Sequence, residues 1–530
     1  MARDGATAAP AELESLVAEA HAAEQAGDLG TASARLEVAV AAAPGLEPLH
    51  VLLSSLHAHA GRMDAAATDL ERAFALGHRD AYRLRRALLL PPILRSVADA
   101  RTARQTYAQR LAALATEPLA IADPLADVPY LNFYLAYQGE NDRDLNRRLA
   151  TIVRRACPSL TFEAPHVGRR PRDRPRVGFL STHFRDHTIG HLNDGILRHL
   201  SAEEIDTVLL LVDGETDGFS EHMATGAGTT VRLPRDLAAA RARIAALELD
   251  VLHFADIGMD PFTWFLAFAR LAPVQCTTWG HPVTTGIDTV DWFLSHADLE
   301  TDPAGGHYSE RLLLLDRLNL CSTRPLAPHP LPDRAALGLP DGGTVYICPQ
   351  TLFKLHPDLD PALGAILAGD RGSWLVLVKP RYREWETLFL DRLAAHVPDV
   401  ASRVVFVPPL SRPRFLALLA RADVMLDPFH FGGGHTSLEA LAMGTPVVTW
   451  SGAFLRGRLT HALYQRMGTS TGTTVGPDAW VARALALGTD PAARAKVRRE
   501  ILERSAALFD DRAAVQAFAA GLRRMLRGYW

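Results

Sequence analysis

The sequence has little cysteine, no long apolar run and no excess of charge of either sign. Its four cysteines (Cys157, Cys276, Cys321 and Cys348) lie far apart and form no CxxC pair, so they indicate neither a disulfide framework nor a zinc knuckle. No segment approaches the ~18 apolar residues of a membrane span, and the N-terminus lacks the basic start and apolar core of a signal peptide. We therefore expect a soluble protein of the reducing cytoplasm.

Charge and length narrow the class of protein further. Lysine and arginine number 56 against 60 for aspartate and glutamate, a formal net charge of -4, so the balance does not indicate a nucleic-acid partner. The arginines of 169–172 are interpreted as part of a solvated linker. With 48% hydrophobic and 22% charged residues the composition is that of a globular protein, and 530 residues predict two to four domains.

A repeat marks the N-terminal part of the chain. Pairs of small or apolar residues recur 34 positions apart: Gly27 and Gly61, Ala32 and Ala66, Leu36 and Leu70, and Ala39 and Ala73. This is the period of tetratricopeptide repeats, whose paired helices touch at small residues. We predict an all-α tetratricopeptide-like domain over 1–117, either a surface for another protein chain or a structural cap. A chance coincidence in an alanine-rich bundle is the alternative.

A helical connector and linker is predicted over 118–173. Its aromatic stripe at 130–137 is interpreted as core packing rather than as a cofactor site. The stretch 164–175, rich in proline and arginine, then separates this connector from sequence of a different kind. We place a domain boundary there.

Short apolar runs alternate with helical patterns in the rest of the chain. Buried strands are predicted over 176–180, 207–212, 250–254, 274–279 and 291–295, and again over 344–348, 375–379, 404–407, 424–427 and 446–450. This alternation is typical of parallel α/β sheets with helices on both faces. We expect two doubly wound, Rossmann-like domains, over 174–326 and 327–530, with ligands beyond the carboxyl ends of the strands.

The richest loop follows the predicted strand 424–427. Its three glycines let the backbone approach a ligand closely, and a helix is predicted to begin at Gly434, His435, Thr436 and Ser437. The free N–H groups and the positive end of the helix dipole face whatever occupies the loop, and a diphosphate is the natural occupant. Glu439, in the first turn, is predicted to reach a ribose hydroxyl. A turn capped by Thr436 or Ser437 is the alternative.

A lysine on a neighbouring loop strengthens the diphosphate interpretation. Lys354 follows the first strand of the same domain and so lies at the same end of the sheet, where it can neutralise a leaving diphosphate. An ordinary surface lysine is the alternative. Arg412 and Arg414, after the predicted strand 404–407, are weaker candidates for contacts to the nucleotide or the acceptor.

Several ordered motifs resemble glycosyltransferase family 41, which contains the O-GlcNAc transferases with their tetratricopeptide repeats and the bacterial adhesin glucosyltransferases. They lie at 176–192, 272–286, 434–437 and 442–449, with Lys354 between them. The resemblance covers most of the chain. It implies a fold of the GT-B type, with an acceptor-side domain over 174–326 and a nucleotide-sugar-binding domain over 327–530.

The resemblance also implies roles for individual residues. Lys354 contacts the diphosphate of the sugar nucleotide, and His435, Thr436 and Ser437 form the helix start that binds it. His187 faces the acceptor and the donor sugar. His187, His281 and Lys354 are the predicted catalytic residues, with His187 and His281 acting on the sugar and the acceptor.

The sequence departs from the animal O-GlcNAc enzymes at several of these positions. His281, in the Gly-His-Pro loop at 280–282, stands where those enzymes carry tyrosine and agrees with the bacterial adhesin-modifying branch. Ala440 replaces an acidic residue, with Glu439 one place earlier, and Arg412 and Phe415 replace a lysine and a histidine beside uracil. These departures leave the donor sugar and the base contacts open.

The expected chemistry is displacement of a nucleoside diphosphate from the anomeric carbon, with inversion if the family rule applies. Lys354 and the helix start supply charge and dipoles where negative charge develops, and this arrangement requires no metal and no cofactor besides the UDP-sugar substrate. Asp358 and Asp360 spell a DxD motif, by which other transferases hold a divalent ion. Here they are interpreted as a helix cap or a solvated face, and no metal ligand is predicted.

The histidines of the first α/β domain leave two interpretations open. His187 acts as a general base or only positions the donor. His183 and His191 would share a face with it in a helix, which suggests a metal cluster, but ordinary histidines are the preferred interpretation. The turn at 256–260 is a further candidate for contact with the acceptor.

We therefore expect an inverting glycosyltransferase that moves a single hexose or N-acetylhexosamine from a UDP-sugar to a protein side chain (Ser/Thr or Asn), with the repeats helping to recruit that protein. Transfer to a glycan or small acceptor is one alternative. A repeat-containing binding protein with an inactive transferase domain is another, against which the retained Lys354, His187 and His435 argue.

Overall fold

The computed structural model describes residues 10–200 and 204–528. The first nine residues, on which the expectation about a signal peptide depends, lie outside the described residues. Among the helices that the structure describes, none is both long and apolar enough to cross a membrane.

Two helical hairpins open the described chain. They are α1 (Pro10–Gln25) with α2 (Leu29–Ala42), and α3 (Glu47–His59) with α4 (Met63–Gly77). Gly27 and Gly61 lie in the equivalent turns with φ of 80° and 74°, a left-handed conformation that glycine adopts without strain. Ala32 and Ala66 are fully buried at equivalent places on the second helices. The 34-residue spacing is therefore one helical hairpin, whereas the assignment to tetratricopeptide repeats stays a prediction.

A connector of four further helices leads to the sheets. It contains α5 (Asp80–Ala87), α6 (Val97–Thr116), α7 (Pro124–Asp127) and α8 (Arg143–Ala156), with 3-10 turns at Phe133–Tyr137 and Pro158–Leu160. Leu149 and Val153 of α8 are buried with Tyr107 and Leu111 of α6, and the same core continues into the first sheet.

The first sheet has seven parallel strands in the order β3-β2-β1-β4-β5-β6-β7. The strands are β1 (Arg176–Leu180), β2 (Asp206–Val212), β3 (Thr229–Leu233), β4 (Val251–Phe254), β5 (Val274–Thr277), β6 (Trp292–His296) and β7 (Arg311–Leu315). The helices are α9 (Thr188–His199), α10 (Gly218–Gly226), α11 (Leu237–Ala245) and α12 (Pro261–Leu266). In register, Phe179 of β1 lies opposite Leu209 of β2 and His253 of β4.

The second sheet has six parallel strands in the order β10-β9-β8-β11-β12-β13. The strands are β8 (Val345–Cys348), β9 (Trp374–Val378), β10 (Val404–Val407), β11 (Val424–Leu426), β12 (Val447–Trp450) and β13 (Thr473–Thr474). The helices that follow β8 in the chain are α13 (Asp360–Gly369), α14 (Arg383–Ala394), α15 (Arg412–Arg421), α16 (His435–Ala442), α17 (Leu459–Arg466), α18 (Gly476–Thr489), α19 (Pro491–Arg504) and α20 (Arg512–Arg527). The predicted α/β class with two doubly wound sheets is confirmed.

All ten predicted strands are present, and three further strands were not predicted. β3 and β13 lie at sheet edges, and β7 at the far edge of the first sheet alternates between exposed and buried residues. The prediction relied on continuous apolar runs, which are typical of strands buried on both faces. β3 and β13 lack such a run, whereas β7 contains four consecutive leucines at 312–315 and the prediction omitted it.

The last helix departs from the predicted domain division. The prediction placed the whole of 327–530 in the second domain, but α20 packs on the first sheet. Phe518 of α20 lies 6.0 Å from Phe179 of β1 between ring centroids, and Val515, Leu522 and Met525 are buried in the same core. An amphipathic helix can bury its apolar face on either sheet, so its position cannot be deduced from its sequence pattern.

The hairpins are packed against the second sheet's domain. Tyr382, just before α14, is buried in the core of the hairpins among Leu29, Leu36 and Leu53. The backbone N–H of Gly30 donates to Glu384 Oε1 at 2.8 Å, and Trp385 Nε1 donates to the carbonyl of His59 at 2.7 Å. One face of the hairpins is thus occupied by the chain's own C-terminal half.

Candidate active site

A cleft of about 340 Å³ lies between the two sheets. The strand order reverses between β1 and β4 in the first sheet and between β8 and β11 in the second. Ligands of doubly wound sheets bind at this point of reversal. Of the residues predicted for the site, the cleft is lined by His187, His281, Lys354, Gly434, His435 and Thr436. Arg412, Ser437 and Glu439 are not part of its lining.

The helix start predicted to hold a diphosphate begins where it was placed. Helix α16 begins at His435, and Gly434 is its N-cap residue without a side-chain capping bond. The alternative of a cap by Thr436 or Ser437 is therefore wrong. N–H groups at the start of a helix have no partner within the helix, and they attract anions together with the helix dipole. This end of α16 opens on the cleft.

A buried carboxylate holds the glycine loop that leads to this helix. Asp427, at the end of β11, accepts the backbone N–H of Gly433 at 2.6 Å and the hydroxyl of Thr449 at 2.8 Å. Burial raises the pKa of Asp427, while these hydrogen bonds and Lys354 oppose the shift. A side chain at 433 would place its Cβ 2.6 Å from Thr436 Oγ1 and 2.9 Å from Gln350 Nε2, so the loop requires glycine there.

A chain of hydrogen bonds joins Lys354 to the start of α16. Lys354 Nζ donates to Gln350 Oε1 at 2.9 Å, and Gln350 Nε2 donates to Thr436 Oγ1 at 2.6 Å. Lys354 Nζ also lies 4.8 Å from the ring centre of Phe431. Burial lowers the pKa of Lys354 to about 8, with Asp427 acting in the opposite direction. Gln350 was not among the predicted residues, although it stands only four positions before Lys354 on the same loop.

Ser437, Glu439 and Arg412 lie behind the cleft wall. The Ser437 hydroxyl is buried against that of Thr460 at 2.7 Å, so a ligand can meet only its backbone. Glu439 Oε1 accepts from Arg412 Nε at 3.1 Å, and Oε2 lies 3.5 Å from His435 Nδ1. The predicted ribose contact of Glu439 is not supported, because this carboxylate is buried and already paired.

Arg414 lies away from the cleft. Its guanidinium donates to the backbone carbonyl of Ala336. The structure therefore gives no support to its predicted contact with the nucleotide or the acceptor.

His187 faces the cleft from the N-terminus of α9. It is the N-cap residue of that helix, and its Nδ1 accepts the backbone N–H of Ile189 at 3.2 Å. Burial, with the neighbouring His183, lowers the pKa of His187 to about 4, so the ring is neutral at pH 7. Since Nδ1 accepts, the proton of the neutral ring is on Nε2. His187 can therefore donate a hydrogen bond to a ligand but cannot accept a proton at Nε2.

The three neighbouring histidines do not form the metal cluster that a shared helical face would produce. His183 precedes the helix, with its ring centroid 4.6 Å from that of His187. His191 Nε2 lies 2.8 Å from Asp186 Oδ1, and its ring stacks on His435 of the opposite domain at 5.5 Å and 16°. His191 thus contributes to the contact between the two domains.

His281 completes the wall opposite α16. Its ring stacks on Phe133 at 5.7 Å and 21°, and burial lowers its pKa to about 4, helped by Arg456 and Lys354. A neutral imidazole is therefore presented to the cleft. Gly280, before it, packs so closely on the carbonyl of Ala255 that no side chain fits.

Aromatic side chains form a wall that the sequence analysis did not predict. Phe133 and Tyr137, from the stripe interpreted as core packing, line the cleft with Phe353 and Phe431. The Tyr137 centroid is 4.7 Å from both Phe353 and Phe431. The interpretation of the stripe as core was thus incomplete. The stripe lies just before the α/β domains, where a connector can reach the cleft. This position was the one signal that its aromatic side chains could line the site.

The acidic residues singled out in the sequence lie outside the cleft. Asp256 is fully buried and accepts from the hydroxyl of Ser181, while Met259 of the same turn lines the cleft. Asp360 is buried in an ion pair with Arg392 at 2.5 Å. The side chain of Asp358 is 37% exposed, which agrees with its interpretation as part of a solvated face, but it also lies between two histidines.

Comparisons with known proteins agree with this architecture. Residues 322–518 match the family model described as Glycosyl transferase family 41. The UDP-glucose:protein N-beta-glucosyltransferase of Actinobacillus pleuropneumoniae serotype 5b (strain L20) is 27% identical over 423 residues, 73% of this chain and 63% of that protein. A protein of Arabidopsis thaliana named "Probable UDP-N-acetylglucosamine--peptide N-acetylglucosaminyltransferase SPINDLY" is 26% identical over 268 residues, 49% of this chain and 28% of that one.

A solved structure shares the whole fold. A mutant of the Thermobaculum terrenum O-GlcNAc transferase superposes with a TM-score of 0.69 at 24% identity, covering 100% of this chain and 99% of that one. The chain spans 63% or less of the length of the two curated relatives above.

Proposed function

We propose that this protein, whose residues 322–518 match the model of glycosyltransferase family 41, moves a single hexose or N-acetylhexosamine from a UDP-sugar to a protein side chain (Ser/Thr or Asn). The observation that carries the proposal is the uncapped start of α16, joined to Lys354 through Gln350 and Thr436 at the cleft. Two relatives whose names describe transfer to a protein or a peptide support a protein acceptor.

The diphosphate of the donor is assigned to the wall formed by the second domain. The first N–H groups of α16 and the Lys354 ammonium converge on one end of the cleft, which suits a doubly charged group. Burial strengthens the attraction between Lys354 and an anion, since the local dielectric is lower than that of water. The side chain of Arg412, paired with Glu439, is assigned no direct contact.

The proposed reaction is a direct displacement with inversion. A side-chain oxygen or nitrogen of the acceptor attacks the anomeric carbon as the bond from that carbon to the diphosphate breaks. The electron pair leaves on the UDP oxygen, and Lys354 with the helix start stabilises the charge that develops there. The proton of the attacking O–H or N–H group is released to water. This assignment uses no metal ion in the transfer step.

The opposite wall is assigned to the sugar and the acceptor. His187 presents a neutral Nε2–H donor, and His281 presents a neutral ring held by Phe133. Neutral groups suit the hydroxyls of a sugar, because they bind without the desolvation cost of a charge. Of the two roles left open for His187, its N-cap hydrogen bond supports that of positioning the donor.

The helical hairpins support a recruiting role only through their free surface. Tyr382 and Trp385 occupy one face, so deleting the hairpins would expose these side chains and obscure any effect on recruitment.

Val38, Leu46 and Leu52 are exposed apolar residues of the hairpin region. We expect Leu52→Ser to lower transfer to whole proteins but not to a short peptide, compared by initial rates. An equal loss on both acceptors would count against recruitment.

The experiment that tests the function offers the full chain a panel of nucleotide sugars together with bacterial lysate. UDP release and mass spectrometry of tryptic peptides are the two measurements. We expect one UDP-sugar to give peptides heavier by a single sugar residue. Sugar transfer only to glycans or small molecules would favour the alternative acceptor class. Absence of both transfer and UDP release with every donor would contradict the proposal.

A further inference from the structure

Three side chains suited to binding a metal meet beside the cleft. Asp358 Oδ1 lies 2.8 Å from His356 Nδ1, and Asp358 Oδ2 lies 2.6 Å from His430 Nε2. Three ligand atoms, one from each residue, lie within 4.8 Å of one another. His356 and Asp358 follow Lys354 on the loop after β8, and His430 precedes Phe431 on the loop after β11. The cluster therefore joins the two loops that build the donor wall.

Hydrogen bonding accounts for one of the two contacts, His430 Nε2 with Asp358 Oδ2 at 2.6 Å, but not for the contact with His356. His356 Nδ1 accepts the backbone N–H of Asp358 at 3.4 Å, so in the neutral ring it carries a lone pair and no proton. Asp358 Oδ1, 2.8 Å away, is shielded from solvent and has no hydrogen-bond partner among the described residues. Two electron-rich atoms thus face each other, an arrangement that a bound cation stabilises.

The set of ligands selects the kind of cation. Two imidazoles and one carboxylate are typical of zinc and related transition metals, whereas magnesium and calcium prefer oxygen ligands throughout. Each imidazole nitrogen lies beside a different carboxylate oxygen, which suits a metal bound by both oxygens of Asp358. With the two imidazole nitrogens this gives four protein ligand atoms, the number found in closed structural zinc sites.

The ligands are held in place by their surroundings. The side chain of His356 is only 7% exposed. The ring of His430 packs on Gly139, where a Cβ would lie 2.6 Å from Nδ1, and Gly139 has a φ of 73°. A ligand set that is already confined loses little conformational freedom when a metal binds.

We propose that His356, Asp358 and His430 bind one divalent transition-metal ion of the zinc class, which fastens the Lys354 loop to the Phe431 loop. None of the three side chains belongs to the lining of the cleft. The ion therefore has a structural role and is not a ligand of the donor diphosphate. This site is independent of the proposed transfer reaction.

The test uses the full chain after dialysis against a chelator, titrated with Co²⁺ in the absence of any sugar nucleotide. Visible absorption reports Co²⁺ bound by imidazole and carboxylate, and calorimetry with Zn²⁺ gives the stoichiometry. We expect one ion per chain and a melting temperature that rises with Zn²⁺, because the metal binds the folded chain. Asp358→Asn and His430→Ala should both abolish the saturable 1:1 binding.

His329→Ala serves as the matched control, because His329 is exposed and separate from the cluster. It should bind Co²⁺ as the unchanged chain does. If His430→Ala fails to fold, the more conservative Asp358→Asn carries the comparison. Absence of saturable binding by the unchanged chain, or undiminished 1:1 binding by a folded Asp358→Asn chain, would overturn the proposal. Neither result depends on whether the protein transfers a sugar.

Discussion

The two walls of the cleft differ in the way they meet a ligand. The wall of the second domain presents a lysine and the uncapped start of a helix, and a fully buried carboxylate at Asp427 holds its glycine loop. The wall of the first domain presents neutral imidazoles at His187 and His281 with the aromatic ring of Phe133. One wall is built for negative charge and the other for uncharged groups. The difference indicates that the two ends of a sugar nucleotide are recognised by different domains.

Removal of the charge from the second wall should have the largest effect. We expect Lys354→Ala to lower kcat by about 10²–10³-fold, the usual cost of losing one group that stabilises a developing charge. Steady-state rates at saturating donor concentration measure this change in kcat. Lys496→Ala, an exposed lysine on α19, is the control. A Lys354→Ala chain with activity near that of the unchanged protein would show that this wall does not stabilise the leaving group.

The first wall can be tested at His187, where the N-cap and ligand-donor roles can be separated. His187→Asn keeps a side chain that caps α9 but removes the Nε2–H donor, so we expect an unchanged melting temperature and a rate lower by about 10–100-fold. His187→Ala loses the cap as well and should also be less stable, by about 1 kcal/mol. Thermal melts and initial rates give both quantities. If His187→Asn is as active as the unchanged chain, the imidazole donates nothing to the substrate.

The pH dependence of kcat/KM should arise from the second wall alone. The pKa of Lys354 is about 8 because of burial, so its cationic form, which holds the diphosphate, is lost as the pH rises through 8. We expect kcat/KM to fall about tenfold per pH unit above 8. His187 and His281, each with a pKa of about 4, stay neutral between pH 5 and 7 and should cause no change there. A rise in kcat/KM centred near pH 6 would contradict the neutral-wall assignment.

The smallest loss of activity is expected from a residue that only positions other groups of the second wall. Gln350→Ala removes the link between Lys354 and Thr436 without removing either group. The loss of one neutral hydrogen bond should lower kcat/KM on the order of fivefold. Gln465→Ala, exposed on α17, is the control for the substitution itself. A loss as large as that of Lys354→Ala would mean that Gln350 contacts the substrate directly.

The sequence predicted the second wall better than the first. Lys354 and the start of α16 follow strands with continuous apolar runs, and strand ends at one edge of a parallel sheet place their loops together. The residues of the first wall come from distant parts of the chain. Phe133 belongs to the connector, and its contact with His281 joins positions 148 residues apart. No local pattern distinguishes an aromatic ring that lines a cleft from one that fills a core.

The sequence by itself determined the α/β class, ten of the thirteen described strands and the loops that carry Lys354, His187 and the start of α16, because these depend on local periodicity and on glycine placement. Only the tertiary structure decided that α20 returns to the first sheet, that Tyr382 fills the hairpin core and that Glu439 pairs with Arg412 behind the wall. It alone brought His430 within reach of Asp358, 72 positions away. Such contacts join apolar faces and charged groups that are far apart in the sequence. Which of them meet depends on how the whole chain packs.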